Sequence, residues 1–180
     1  RGLFAEARVC QEQVLALDPQ YVEAHFELAQ LLLLDGDYGR GFAEYEWRLR
    51  RPAAPDRDLP EPIWDGGPLD GRHILVYGEQ GMGDVLQMAR FLPALAKRGA
   101  RVTLSCHAPL VPLLSALPSI ERAVAHFAEP DDCDLRVALL SLPQRLGVTL
   151  ADLPASVPYI PVPSRPTSRL LSQTGGRRIG

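Results

Sequence analysis

The sequence predicts an α + α/β chain, with a helical-hairpin repeat at the amino end followed by a lobe built on a parallel sheet. Three observations carry this. Sliding the sequence on itself by 34 residues superposes Gly2 on Gly36, Phe4 on Tyr38, Ala7 on Gly41 and Glu12 on Glu46, a period typical of helix-turn-helix repeats. Residues 52 to 71 hold Pro52, Pro55, Pro60, Pro62 and Pro68 together with Gly66, Gly67 and Gly71, a density at which neither a helix nor a paired strand is expected to persist. After them come an apolar run of strand formers, a glycine loop and a helical pattern, the order of an α/β unit.

In the first segment, Asp18-Pro19 closes one helix and opens the next, because proline fits a first helical turn and its predecessor resists helix. Val22, Phe26, Leu28, Ala29, Leu32 and Leu33 mark the apolar face of a helix over 22–34. Asp35-Gly36-Asp37 is a turn. Phe42, Tyr45 and Leu49 then form a stripe on a helix over about 38–50, which Pro52 stops. Tyr21, Tyr45 and Trp47 are aromatics for peptide binding or for packing. Trp47, off the stripe and beside the boundary, is the residue expected to be buried against the second domain. In the Pro/Gly-rich stretch, Ile63-Trp64 reads as an apolar plug that seats the linker on a domain, with stacking of Trp64 on a sugar as the competing reading.

His73-Ile-Leu-Val-Tyr77 is a strand, followed by the loop Gly78-Glu79-Gln80-Gly81-Met82-Gly83. Val85, Met88, Ala89, Leu92, Leu95 and Ala96 then recur at helical spacing. Pro93 interrupts that helix, and Lys97, Arg98 and Gly99 end it with cations at the negative end of its dipole. The grammar repeats with a strand over 101–106, a short helix over 109–117, and strands over 122–126 and 135–139. Strand and helix at this spacing imply a parallel sheet, whose ligands bind at the carboxyl ends of the strands. The loop 78–83 lies at such an end.

Several functions are excluded or disfavoured. The 180 residues are 46% hydrophobic and 23% charged with a net charge of -3, so no basic field is offered to nucleic acid. The longest apolar run, Leu31-Leu32-Leu33-Leu34, falls far short of the roughly 18 to 20 residues of a membrane span, and a cytoplasmic location is the default expectation. Cys10, Cys106 and Cys133 are read as reduced, buried thiols. Cys106 and His107, adjacent on a strand, point to opposite faces and form no metal pair; no metal is expected. The loop spacing is G-x-x-G-x-G where a dinucleotide fold wants G-x-G-x-x-G, and no acidic residue ends the second strand. The Gly-Lys-Ser/Thr of a nucleoside triphosphate loop and the G-x-S-x-G of a serine hydrolase are both missing from the sequence.

Residues 1–51 resemble tetratricopeptide (TPR) repeats. Leu28-Ala29 and Gly36-Asp37-Tyr38 stand where that family has its leucine-small pair and Gly-x-aromatic turn, and Val14-Leu-Ala-Leu-Asp-Pro19 matches the end of a repeat. His25 replaces the usual tryptophan and Gly41 the usual alanine. The resemblance implies one complete repeat and one partial repeat, further repeats before Arg1, and a protein or peptide partner on the array.

From about residue 60, Pro62-Ile-Trp-Asp-Gly66, Leu69, Gly71-Arg72 and Glu79-Gln-Gly-Met-Gly-Asp84 resemble bacterial, TPR-bearing relatives of the heptosyltransferase-like (family 9-like) glycosyltransferases. Val85-Leu86, Leu92-Pro-Ala-Leu95, Ser141-Leu-Pro143 and Val157-Pro-Tyr159 extend the resemblance. It implies a two-lobed GT-B enzyme. Residues 72–176 would be its Rossmann-like N-terminal lobe, joined through the linker 52–71, and 177–180 the start of a second lobe that binds most of the nucleotide-sugar donor. No other cofactor is implied. By position, Asp84 is the base that takes the proton of the acceptor hydroxyl as attack on the sugar proceeds. A helix N-terminus stabilises the carboxylate by about 0.3 to 1 kcal/mol and weakens it as a base; the alternative is that Asp84 caps the helix. Glu79, Gln80, Gly81, Met82 and Gly83 are the candidate substrate-binding residues, with Glu79 and Gln80 contacting an acceptor or bracing the loop. Gln87 and Arg90 extend the cleft or face solvent, and His107 at the same edge is read as structural. The chain is thus expected to be the acceptor-side lobe of a glycosyltransferase, inactive by itself; the alternative is a TPR scaffold with an inactive transferase-like lobe.

Overall fold

A computed structural model describes residues 2–52, 59–128, 130, 132–153 and 157–161. Pro55 and the expected second-lobe start at 177–180 lie outside the described residues.

Three helices open the chain: α1 (Gly2–Leu17), α2 (Val22–Asp35) and α3 (Tyr38–Tyr45), the last tightening into a 3-10 turn, Glu46–Arg50. Gly36 ends α2 in the left-handed region (φ 84°), its N–H reaching the last-turn carbonyls. The Asp37 side chain caps α3 by accepting from the Arg40 amide. A β-carbon on Gly41 would stand 2.8 Å from the Leu33 side chain, so glycine there is what lets α3 approach α2. Leu28, Ala29, Leu32 and Phe42 are buried, whereas α1 buries no residue. Exposed ion pairs tie α1 to its neighbours, Arg8 to Asp35 and Arg40 to Glu12, each worth at most about 1 kcal/mol.

Beyond the Pro/Gly-rich stretch a four-stranded parallel sheet forms in the order β3-β2-β1-β4, from β1 (His73–Tyr77), β2 (Arg101–Cys106), β3 (Arg122–Ala125) and β4 (Leu135–Ala138). The central β1 is buried along its whole length, which is why it reads as an unbroken apolar run. The helix expected after β1 is split into α4 (Met82–Met88), a 3-10 turn and α5 (Leu92–Lys97), since Pro93 has no N–H for the carbonyl four residues back. The remaining helices, α6 (Val111–Leu114) and α7 (Leu142–Leu146), are short.

Among the described linker residues no helix or strand forms, as expected, but that expectation needs a qualification and two others need correction. The linker does pair at one residue: Ile63 bridges Arg136 of β4, with the Trp64 amide on the Arg136 carbonyl and the Arg136 amide on the Pro62 carbonyl. Proline withholds an amide but still supplies a carbonyl. Next to it Trp64 is 1% exposed in the core, its indole N–H on the Gly67 carbonyl, so its ring is a plug and not a sugar platform. Second, Trp47 is not buried against the sheet; it is half-buried and stacked on His25 of α2, centroids 3.6 Å apart. Its neighbour Arg48 makes the crossing, because successive residues of a turn with about three residues per turn point in different directions. Third, all three cysteines are free, but only Cys106 is buried; Cys133 is half-buried and Cys10 is exposed, as α1 has no buried face.

Candidate functional site

At the carboxyl end of β1 the chain turns through Gly78, whose amide donates to the Ser105 carbonyl of β2. Gly78 leaves little room for a side chain: a β-carbon would lie 2.8 Å from Cγ2 of Val85, with the Ser105 carbonyl at 3.6 Å and His126 at 3.8 Å. Gly81 is extended and precedes α4 without a side-chain cap. Asp84, the third residue of α4, is half-exposed, and its Oδ2 folds back to 3.2 Å from where a β-carbon on Gly81 would sit. Among the described residues its carboxylate has no hydrogen-bond or ion-pair partner. Met82 is 47% exposed and Gly83 faces open space. Gln87 is exposed. Arg90 is engaged: its Nε donates to the Gln87 carbonyl and its guanidinium lies 4.8 Å above the Tyr159 ring, whose hydroxyl donates to the Leu86 carbonyl. It therefore holds residues near Tyr159 on α4.

Glu79 and Gln80 point to the helical segment. Arg48 places Nε and Nη2 at 3.1 and 2.6 Å from Glu79 Oε1, Nη2 at 2.8 Å from Ser141 Oγ, and Nη1 on Glu46 and on the Tyr45 carbonyl. Tyr45 and Gln80 exchange a second link between hydroxyl and amide, and Arg145 of α7 closes the network on Glu46. The Arg48 and Glu79 side chains are only 3% and 2% exposed. Burial pushes the Glu79 carboxyl up from its ordinary value, with Arg48 opposing; burial works against the Arg48 charge too, but Glu79 and Glu46 more than offset it and its value rises. A charge pair so buried holds together because removing either partner strands the other.

The network has a topological meaning. With strand order β3-β2-β1-β4 the chain leaves β1 toward β2 and later returns on its other side, so β1 and β4 flank the switch point whose outer crevice ordinarily receives ligands. Glu79 follows β1 and Ser141 follows β4. Arg48 lies between them and occupies this crevice from the helical side.

Sequence reasoning missed Arg48, Glu46 and Arg145 and did not place Tyr45 or Ser141 at the loop; the five become a unit only when the helices dock. It read His107 at the end of β2 as structural and gave no role to the end of β3. There His107 and His126 meet edge to face with centroids 4.9 Å apart, Nδ1 of His107 is buried without a partner among the described residues, and Phe127 adopts φ 66° and is 91% exposed. Neither buried Cys106 nor half-buried Cys133 is poised as a nucleophile: burial raises Cys106 to about 11, and burial with nearby Asp132 and Glu61 raises Cys133 to about 11, which favours the protonated thiol in both. At the opposite strand ends His73, Asp132 and Cys133 gather within 4.8 Å, but both ring nitrogens of His73 are taken up, by the Asp132 carbonyl and the Thr103 hydroxyl. A groove of about 540 Å³ lies on α1 and α2, lined by Phe4, Leu31 and Leu34, not at the strand ends. Among the described residues no helix is long and apolar enough to cross a membrane.

No family model matches the chain. Over 75 residues it is 36% identical to protein FlbA of Caulobacter vibrioides, a stretch covering 40% of this chain and 12% of that protein; the chain spans only a small part of that relative. Among solved structures, an O-GlcNAc transferase mutant of Thermobaculum terrenum is similar at 16% identity over 71% of this chain and 32% of that one, with a TM-score of 0.26, too low a likeness to carry an argument about fold or chemistry.

Proposed function

We propose that the chain belongs to a glycosyltransferase that moves a sugar from a nucleotide-sugar donor to an acceptor hydroxyl, and that it supplies the acceptor side of the reaction. The observation that carries this reading is the Asp84 carboxylate, half-exposed and without a side-chain partner on a glycine loop at the carboxyl end of the central strand. A carboxylate so placed is available to accept the proton of a hydroxyl as it attacks the sugar. Gly81, Met82 and Gly83 leave the space before it open, while Glu79 and Gln80 brace the loop instead of meeting the acceptor. The donor is assigned to a second lobe beginning near 177–180, and residues 1–51 to TPR repeats that bring a protein or peptide acceptor to the lobe 72–176. Arg90 and Gln87 stay outside the reaction.

The test is turnover by the full-length protein. Incubated with UDP-, GDP-, ADP- and CMP-linked sugars and a cell-free extract of its source, it is expected to release one nucleotide and to glycosylate an acceptor seen by mass spectrometry. Absence of both turnover and saturable calorimetric binding with every donor would overturn the reading. One observation favours a second reading, a TPR scaffold with an inactive lobe: Arg48 occupies the crevice between β1 and β4 that α/β enzymes ordinarily leave to ligands. Binding of a protein partner without any donor binding is its expected signature.

A further inference from the structure

The loop that carries Asp84 is not held by its own lobe alone. Residues 78–83 lack secondary structure up to Met82, and three of the six are glycines, so their intrinsic rigidity is low. Two side chains of the loop are fixed from the helical segment: Glu79 by two bonds from Arg48 to one carboxylate oxygen, and Gln80 by the hydroxyl of Tyr45. Arg48 also reaches Ser141, which fixes the connection after β4 in the same stroke. Arg48 and Tyr45 are themselves located by the 3-10 turn, through the bond from Arg48 to the Tyr45 carbonyl and through Trp47 stacked on His25 of α2.

We infer that Arg48 and Tyr45 are positioning residues for the glycine loop, so that the helical segment is a working part of the site and not only an appendage that recruits partners. Neither residue touches the reacting atoms; each acts through Glu79 or Gln80 on the backbone that places Gly81 and Asp84. The inference rests on the proposed function only in giving that placement a catalytic purpose. The placement itself is testable without any sugar.

The experiment is hydrogen exchange on the full-length protein and its Tyr45→Phe, Arg48→Lys and Arg48→Met variants. Amides of residues 78–83 are expected to exchange about tenfold faster or more in Arg48→Met, and several-fold faster in Tyr45→Phe, while those of α2 and β2 keep their protection. Arg48→Lys, which retains the charge but not the fork, falls between. In the transfer assay the same substitutions lower kcat by about ten- to a hundredfold with the donor KM unchanged, which a purely stabilising contact does not do. Equal exchange at 78–83 in all variants, or acceleration shared evenly by α2 and β2, overturns the inference. Should Arg48→Met fail to fold, Tyr45→Phe, which loses one hydroxyl, decides the question alone. If the loop responds but no donor is turned over, the positioning role stands and the transferase reading fails; if donors are turned over and the loop is indifferent, the reverse holds.

Discussion

Nη2 of Arg48 lies 2.6 Å from Oε1 of Glu79 with both side chains almost fully removed from water. The pair joins the end of the third helix to the loop after the first strand, and it makes a testable thermodynamic statement. Burial holds the Glu79 carboxyl above its ordinary value of 4.5. The unfolded chain therefore loses this proton first as pH rises, and stability falls between the unfolded and folded values. Arg48→Met removes the opposing charge, moving the folded value higher and extending the fall to higher pH. Urea denaturation is expected to show a loss of about 3 to 5 kcal/mol at neutral pH in Arg48→Met, shrinking at acid pH. Arg48→Met combined with Glu79→Gln is expected to lose most of that pH dependence.

Gly78 is predicted to accept no side chain. Gly78→Ala puts a methyl group 2.8 Å from the buried Val85 and against the Ser105 carbonyl, and an overpacked site of this kind costs about 1 to 3 kcal/mol. Thermal unfolding checks it. An unchanged melting temperature would mean that the loop and α4 are packed less tightly than described.

Trp64 is predicted to be a structural anchor of the linker. Trp64→Ala removes the most voluminous fully buried side chain and a hydrogen bond to Gly67, a loss of about 3 to 5 kcal/mol by chemical denaturation. If soluble sugars instead quenched its fluorescence in the wild-type protein, the ring would be accessible and the plug assignment wrong.

Much of this architecture is legible along the chain because the relevant signals are local. The glycine at position 36, the proline at 93 and the apolar run of β1 each act within a few residues, and each element appears close to where the pattern puts it. Two kinds of feature escape. Pairing of Ile63 with Arg136 depends on a carbonyl that Pro62 still offers to a distant strand, so local proline density misleads. Arg48 resembles the cations at 50 and 51 that follow it, and only docking of the 3-10 turn separates its buried guanidinium from exposed Arg50 and half-buried Arg51. For the site, the position of the glycine loop at a strand end follows from the alternation of strand and helix, whereas the inward turn of Glu79 and Gln80 and the meeting of His107 with His126 arise from contacts between residues far apart in the sequence.

The central claim is that Asp84 accepts the proton of an acceptor hydroxyl, and single-turnover glycosyl transfer by full-length wild-type and Asp84→Asn protein measures it most directly. Asparagine keeps the shape and removes the basic oxygen, so the account predicts a rate lower by about 100- to 10,000-fold with donor affinity and melting temperature unchanged. Transfer at the wild-type rate in Asp84→Asn would contradict it.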